Sequence, residues 1–195
     1  EETRDAMLRR VGDVARGLPQ VCGRDGSRAE RTLVLLKPDA VERRLVGTIM
    51  SRFESKGLAL VGVKLCVPTR SLAEAHMAPH RSREFFEPVC RFLCSGPVVA
   101  VALEGRWAVR AARSLIGESS EPGDCVAGTI RGDFGSHYRR NLIHGSDTAD
   151  EARRELDVWF PNGDGIVPAV AGLAPWIVEP PGTDDDAVDE RIATS

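Results

Sequence analysis

A lysine placed at the end of a predicted strand is the first side chain in this sequence that is suited to phosphate chemistry. Lys37 follows the apolar run TLVLL and opens the segment KPD, residues 37–39. Such a run predicts a short buried strand, and the lysine would project from its end. A compact ammonium group there suits phosphate oxygens. A solvated lysine at a strand end is the alternative, and it explains this segment alone more simply.

The second segment is GTIRGDFG, residues 128–135, in which Arg131 lies between glycines. Glycines allow the backbone to approach a ligand closely, and a guanidinium held between them can bind an anion. The spacing GxxxxGK[ST] is absent from this segment, so a P-loop is excluded there. A plain turn remains the alternative.

The third segment is NLIHGSD, residues 141–147, in which His144 follows a short apolar run. Ser146 and Glu155 are placed to orient the imidazole, since a helix is predicted to begin directly after the segment. An imidazole fixed by a hydroxyl and a carboxylate is a general base or an activated nucleophile. A histidine with a purely structural hydrogen bond is the alternative. The other histidines, residues 76, 80 and 137, have no comparable partners, and we predict that they lie on the surface.

The rest of the sequence predicts the elements that must position these groups. Apolar runs predict strands at residues 32–36, 58–67, 97–103 and 141–143, and helical spacing predicts helices near residues 45–53, 71–77, 85–94, 107–116 and 149–159. Thr148 and Glu151 predict a capping box at the start of the last helix. The alternating order indicates an α+β or α/β fold, in which helices pack against one sheet.

Composition excludes several classes of protein. The chain has 195 residues, 42% of them hydrophobic and 28% charged, which is typical of one globular domain. The net charge is −3, of which residues 180–195 contribute −4, residues 1–30 contribute 0 and residues 31–179 contribute +1, so the body lacks the basic field that drives nonspecific binding of nucleic acid. No apolar run is long enough to span a bilayer. Five cysteines without a CxxC pair argue against a disulfide framework or a structural zinc site, and favour a reducing compartment.

The two ends are predicted to be appendages of a domain at residues 31–179. Residues 1–30 form an N-terminal extension whose Arg-rich stretch resembles a targeting remnant, although its acidic residues argue against that function. Residues 180–195 are predicted to be an acidic disordered tail. We expect a cytoplasmic protein, with a mitochondrial or other organellar location as the alternative.

Taken in order, the motifs closely resemble the nucleoside diphosphate kinase family over residues 30 to about 179. They are RTLVLLKPDAV, RRLVG, FFEPV, SGPVVAVALEG, GTIRGDF and NLIHGSD. The resemblance implies an α+β fold, a ferredoxin-like βαββαβ sandwich whose four-stranded antiparallel sheet is covered by helices. It also implies a homo-oligomer, with a hexamer favoured and the tetramer of some bacterial members as the alternative.

The resemblance further implies the activity of a phosphotransferase. His144 would take the γ-phosphoryl group of ATP or another nucleoside triphosphate, and would pass it to a nucleoside diphosphate in a ping-pong cycle. Mg²⁺ would be the cofactor, held largely by the nucleotide and water, and no nucleic acid would be required. The implied catalytic residues are His144, Lys37, Ser146 and Glu155. The implied nucleotide-binding residues are Lys37, Phe85, Arg113, Ser119, Arg131 and Asn141; Phe85 would stack on the base, and Lys37, Arg113 and Arg131 would bind phosphates.

Several positions depart from the family pattern. Met77 stands where the family carries a tyrosine, and a thioether cannot donate a hydrogen bond to the transferred phosphoryl group. Ala40 replaces a glycine, one extra residue precedes Arg131, and His137 and Tyr138 are larger than the usual residues near the base. These changes leave a second hypothesis open, in which the chain is a weakly active or inactive member that serves as a nucleotide-binding scaffold or interaction protein.

Overall fold

The computed structural model of the chain describes residues 30–118 and 121–167. Within these residues the strands are β1 (Glu30–Leu36), β2 (Ala59–Cys66), β3 (Val98–Gly105) and β4 (Ile143–Gly145). The helices are α1 (Pro38–Glu42), α2 (Val46–Ser55), α3 (Arg70–His76), α4 (Phe86–Leu93), α5 (Ala108–Ile116), α6 (Ile130–Phe134) and α7 (Ala149–Trp159). The predictions made for the N-terminal extension up to residue 29, for Ser119 and for the acidic tail lie outside the described residues.

The four strands form one antiparallel sheet in the order β2-β3-β1-β4. Strand β1 lies inside the sheet, where Leu36 pairs with Val99 of β3 and with Ile143 of β4. This sheet order, with helices between the strands, confirms the expected α+β fold of the ferredoxin-like type.

Helices cover both faces of the sheet, and β1 is buried on both sides. Val34 and Leu36 pack in one core cluster with α2 and α5, whereas Leu33 and Leu35 pack in a second cluster with α3 and α7. All four leucine and valine side chains are fully buried. Burial on both faces explains why β1 reads as a continuous apolar run rather than as an alternating pattern.

Strand β4 begins two residues later than predicted, so the prediction of a strand at residues 141–143 is wrong in its position. The amide of Ile143 donates to the carbonyl of Asn141 at 2.8 Å, and Leu142 between them has φ +70°. That tight turn takes residues 141–142 out of the extended conformation. His144 therefore lies within the strand instead of following it.

Helix α6 forms inside the glycine-rich segment, where no helix was predicted. The hydroxyl of Thr129 accepts from the Gly132 amide at 3.0 Å and caps the helix. A Cβ atom at Gly132 would collide with the Val126 carbonyl, so this close turn requires glycine.

The predicted cap of α7 is present, with one change of partner. Thr148 accepts from the Glu151 amide at 3.1 Å, whereas the Glu151 carboxylate accepts from the Asp147 amide at 3.3 Å instead of from Thr148. The cap fixes where α7 begins, and hence where Glu155 lies on it.

Two expectations from composition concern these residues as well. In the parts of the chain that the structure describes, no helix has the length and apolar character needed to cross a membrane. Within the same residues the cysteines, which are Cys66, Cys90, Cys94 and Cys125, are thiols.

Candidate active site

His144 is held by the pairing of β4 with β1. It lies opposite Leu35 in the antiparallel register, and the neighbouring Ile143 faces the core cluster on the α2 and α5 side. Because side chains alternate along a strand, the imidazole faces the opposite side, toward α3 and α7. The side chain of His144 is 30% exposed, which leaves it accessible to a ligand.

Glu155 and Ser146 orient this imidazole through a continuous hydrogen-bonded chain. Nε2 of His144 lies 2.8 Å from Oε1 of Glu155, and Oγ of Ser146 donates to Oε2 of the same carboxylate at 2.6 Å. Ser146 also donates its amide to the carbonyl of Leu33 in β1 at 3.2 Å. The predicted group of histidine, hydroxyl and carboxylate therefore meets in space.

The charge of Glu155 is maintained by its partners. Burial alone would raise the pKa of this carboxyl, but the hydrogen bond and charge of His144, the electrostatic interaction with His76 and the hydrogen bond from Ser146 together lower the pKa to about 2. The residue is buried, so an ionised carboxylate here depends on these donors. Because an ionised carboxylate only accepts hydrogen bonds, Nε2 of His144 carries the hydrogen and Nδ1 keeps its lone pair.

His76 belongs to the same cluster, so the prediction that it lies on the surface is wrong. It is buried, its ring meets that of His144 edge-to-face at 4.7 Å, and its Nδ1 accepts from the indole N–H of Trp159 at 3.3 Å. Burial, followed by the charge of His144, lowers the pKa of His76 to about 3, so the ring is neutral. Ala73, three residues earlier and one turn away on α3, is buried as well, and that helical spacing was the signal in the sequence.

Lys37 is hydrogen-bonded to Asn141, so two of the predicted nucleotide-binding residues lie side by side. Nζ of Lys37 donates to Oδ1 of Asn141 at 2.7 Å. Burial and the charge of Arg131 lower the pKa of Lys37 to about 8, and the charge of Asp39 partly opposes that shift. The ammonium group is thus poorly solvated and is available to an anion.

The side chain of Arg131 is more buried than that of an arginine in a surface loop would be. It is 5% exposed and donates through Nη1 to the Gly117 carbonyl and through Nη2 to the Ile143 carbonyl, both at 2.7 Å. Burial and the charge of Arg113 lower the pKa of Arg131 to about 10. One hydrogen on each terminal nitrogen remains beyond these two bonds, so Arg131 can support the backbone beside His144 and still face an anion.

The remaining predicted residues lie around this group. Arg113 on α5 pairs with Asp147 at 3.1 Å, close in sequence to His144. Phe85 is exposed at the start of α4, and its ring contact is with His80 at 5.6 Å. Met77 is buried with the second core cluster. Ser119 is not among the described residues.

The cluster of His76, His144 and Glu155 has the side chains of a metal site but not its spacing. Their ligand atoms lie within 4.8 Å of one another, the one such group found in the described part of the chain. Two nitrogen or oxygen ligands at about 2.0–2.2 Å from one zinc ion are at most about 4.4 Å apart, so the cluster would have to contract. Its donors and acceptors are engaged instead with one another and with Trp159 and Ser146, which is the arrangement of an orienting network.

Comparison with known proteins gives a consistent result. The sequence model described as nucleoside diphosphate kinase matches residues 30–164. The nucleoside diphosphate kinases of Synechococcus elongatus and Thermosynechococcus vestitus are 49% and 47% identical over 150 residues, which cover 77% of this chain and 99% of each relative. Crystal structures of the nucleoside diphosphate kinase of Encephalitozoon cuniculi (40% identity, TM-score 0.70) and of a family protein of Babesia bovis (39%, 0.71) each match 76% of this chain and 99% of the other.

Proposed function

This chain belongs to the nucleoside diphosphate kinase family of phosphotransferases, and on that premise we propose that it moves the γ-phosphoryl group of a nucleoside triphosphate, with ATP as donor, to nucleoside diphosphates through a phosphohistidine at His144. The observation that supports this most is the hydrogen-bonded chain from His144 through Glu155 to Ser146. It presents an accessible imidazole with its reactive nitrogen fixed in orientation.

In the first half-reaction the lone pair on Nδ1 of His144 attacks the γ-phosphorus. The N–P bond forms as the bond from phosphorus to the bridging oxygen breaks, and the nucleoside diphosphate leaves with that electron pair. The hydrogen stays on Nε2 and remains hydrogen-bonded to Glu155, whose negative charge stabilises the imidazole ring as it becomes positive. A second nucleoside diphosphate reverses these steps and regenerates the free histidine.

The charge that spreads over the phosphoryl oxygens needs cations around it. We assign this function to Lys37, Arg113 and Arg131, because Lys37 and Arg131 are held beside the turn and strand that carry His144, and Arg113 pairs with Asp147 three residues beyond it. Asn141 and Lys37 are proposed to contact the ribose hydroxyls, and Phe85 to stack on the base. We also propose that Ser119 binds the nucleotide.

Mg²⁺ fits this site as a partner of the nucleotide. It prefers oxygen ligands and keeps several waters, so it is commonly held through phosphates and one or two carboxylates. The Asp147 side chain is 60% exposed and lies against Arg113, which makes it the acidic group suited to hold a water of such an ion. When bound with the nucleotide, Mg²⁺ would neutralise phosphate charge.

Nucleotide binding should be accompanied by proton uptake at Lys37. Its pKa of about 8 means that much of the free protein carries a neutral Lys37 at pH 8.5, and phosphate oxygens favour the charged form and raise that pKa. We expect calorimetric titration with Mg-ADP, in buffers of different ionisation enthalpy, to give roughly half a proton or more per site at pH 8.5 and close to none at pH 7. Lys37→Arg is the matched control, because arginine stays charged; equal uptake by that variant would contradict the assignment.

A homo-oligomer is proposed from an apolar row on the edge strand β2. Leu60, Val63 and Leu65 lie on one face of this strand and are 37%, 47% and 66% exposed. The outer edge of β2 is bridged near Gly62 by Ile166, and no other strand among the described residues pairs with that edge, so we propose that a second copy covers the row. Sedimentation should give several times the mass of one chain, with a hexamer favoured, and Leu65→Lys should weaken assembly. A monomer at micromolar concentration would contradict this proposal.

The decisive experiment for the proposed function follows a labelled phosphoryl group. The protein is incubated with γ-labelled ATP and Mg²⁺, quenched in alkali to preserve phosphohistidine, and chased with GDP in a parallel sample. Label on the protein that then moves to GDP would support the ping-pong kinase. A folded protein that binds ADP but takes no label would favour the scaffold hypothesis.

A further inference from the structure

The residue two positions before His144 has a backbone conformation that is unusual for its side chain. Leu142 has φ +70°, and the amide after it donates to the carbonyl before it at 2.8 Å, so residues 141–143 form a γ-turn. Few residues other than glycine adopt a positive φ, and this form of the γ-turn is rare and strained. The side chain of Leu142 is fully buried in the core, so the turn cannot relax by moving toward solvent.

The segment that follows β1 holds this turn from both sides. The amide of Leu142 donates to Oδ2 of Asp39 at 3.0 Å, and the carbonyl of Leu142 accepts from the Lys37 amide at 2.8 Å. Strain of this kind persists where the surrounding structure fixes it. Both the amide and the carbonyl of the strained Leu142 are hydrogen-bonded here. The Lys37 partner is a backbone amide, whereas the Asp39 partner is a side chain.

The turn connects the parts of the site on either side of it. Asn141, at its start, accepts from the ammonium group of Lys37, and Ile143, at its end, accepts from Arg131. His144 follows directly in β4, in register with β1. A change in the turn would therefore move the nucleophile relative to two of the proposed phosphate-binding cations.

The carboxylate of Asp39 does not form all the hydrogen bonds that would make it most stabilising. Its Oδ1 is buried, and it has no hydrogen-bond partner among the described residues, which is a costly state for a carboxylate oxygen. A residue serving stability alone would satisfy both oxygens. Besides its charge near Lys37, the hydrogen bond from the Leu142 amide is the contact that the structure gives this half-buried carboxylate.

We propose that Asp39 is a positioning residue for phosphoryl transfer, which binds the Leu142 amide, maintains the γ-turn and so keeps His144 aligned with Lys37 and Arg131. The kinetic consequence rests on the proposed function, whereas the effect on the turn does not. Because Asp39 also carries a charge near Lys37, the test has to separate its acceptor oxygen from its charge.

Two substitutions separate these properties. Asp39→Asn keeps an oxygen for the Leu142 amide and removes the charge, whereas Asp39→Ala removes both. Glu42→Ala is the matched control, because it deletes an exposed carboxylate from the same helix α1. If Asp39→Ala does not give a folded protein, Asp39→Leu takes its place, because leucine has a similar shape and no acceptor atom.

The first readout is hydrogen–deuterium exchange of peptides that contain residues 141–144, which requires no catalysis. We expect faster exchange in Asp39→Ala and exchange close to wild type in Asp39→Asn and Glu42→Ala. The second readout is the rate of His144 phosphorylation at saturating Mg-ATP. It should fall by roughly 10–100-fold in Asp39→Ala, as displacements near 1 Å can cost, and by less than about fivefold in Asp39→Asn.

Two outcomes would overturn the proposal. In the first, Asp39→Asn is as slow as Asp39→Ala, which would assign the effect to the charge near Lys37. In the second, Asp39→Ala keeps normal exchange, so the turn does not need this carboxylate. Absence of labelling in the wild-type protein would be a failure of the proposed function instead, and the exchange data would still test Asp39.

Discussion

Replacement of His144 by alanine is expected to reduce phosphoryl transfer by about 10⁴-fold or more, while the protein remains folded and binds ADP. The proposed cycle passes through an N–P bond at this residue, and no other described side chain has both its exposure and its orienting partners. The backbone of β4 pairs with β1 independently of the imidazole, and Lys37, Asn141 and Arg131 keep their contacts.

The measurement combines steady-state transfer from ATP to GDP with calorimetric binding of Mg-ADP. Wild-type protein quenched in parallel in acid and in alkali is the control, since a phosphohistidine survives alkali and is lost in acid. Normal turnover by His144→Ala would refute the phosphohistidine mechanism. Loss of ADP binding together with turnover would mean instead that His144 supports the site structurally.

Replacement of Glu155 by glutamine is expected to lower the rate of His144 phosphorylation by about 10²-fold with a small change in KM. Glutamine can still accept from Nε2 of His144, so the ring keeps its tautomer, but the negative charge that stabilises the forming imidazolium is lost. Its amide group would face Ser146, which then has to give up donation to this side chain and turn toward the Leu33 carbonyl, 3.4 Å away. Rapid-quench phosphorylation by labelled ATP measures this step.

The same substitution should change how stability depends on pH. The pKa of Glu155 is about 2 in the folded protein against an ordinary value of 4.5, so its contribution to the free energy of unfolding is fully present above pH 4.5 and is lost as pH falls toward 2. Glu155→Gln does not titrate, so its melting temperature should fall less steeply than that of wild type over this range. Glu42→Gln, at an exposed site, is the control and should follow the wild-type curve. Parallel curves for wild type and Glu155→Gln would contradict the pKa assignment.

The elements with strong periodic signals could be predicted from the sequence. Strand β1 was predicted because burial on both faces produces an unbroken apolar run, and α7 because Thr148 caps it. The grouping of His144, Ser146 and Glu155 followed from the same local signals, since a strand, a tight turn and a capped helix fix their relative positions.

Features that depend on distant contacts could not be predicted in this way. His76 is 68 positions before His144, and only the packing of α3 on the face of the sheet that carries His144 brings the two rings together. The start of β4 was misplaced because nothing local in the sequence indicates a left-handed leucine; the partners of Leu142 are Asp39 and Lys37, about 100 residues earlier. Both failures arise where tertiary contacts override local preference.

The position of β1 inside the sheet has a consequence for protein synthesis. Lys37 emerges near the beginning of the domain, but its partner Asn141 follows 104 residues later and Glu155 later still. At roughly 5–20 residues per second, the ribosome needs about 5–20 s to add that interval, during which the growing chain holds the proposed phosphate-binding lysine without the proposed nucleophile. Glu155, whose carboxylate orients His144, is translated only when α7 is made. A nascent chain is therefore unable to assemble the proposed phosphorylation site before almost the whole domain has been made, so the proposed reaction with nucleotides would begin only once the domain is nearly finished.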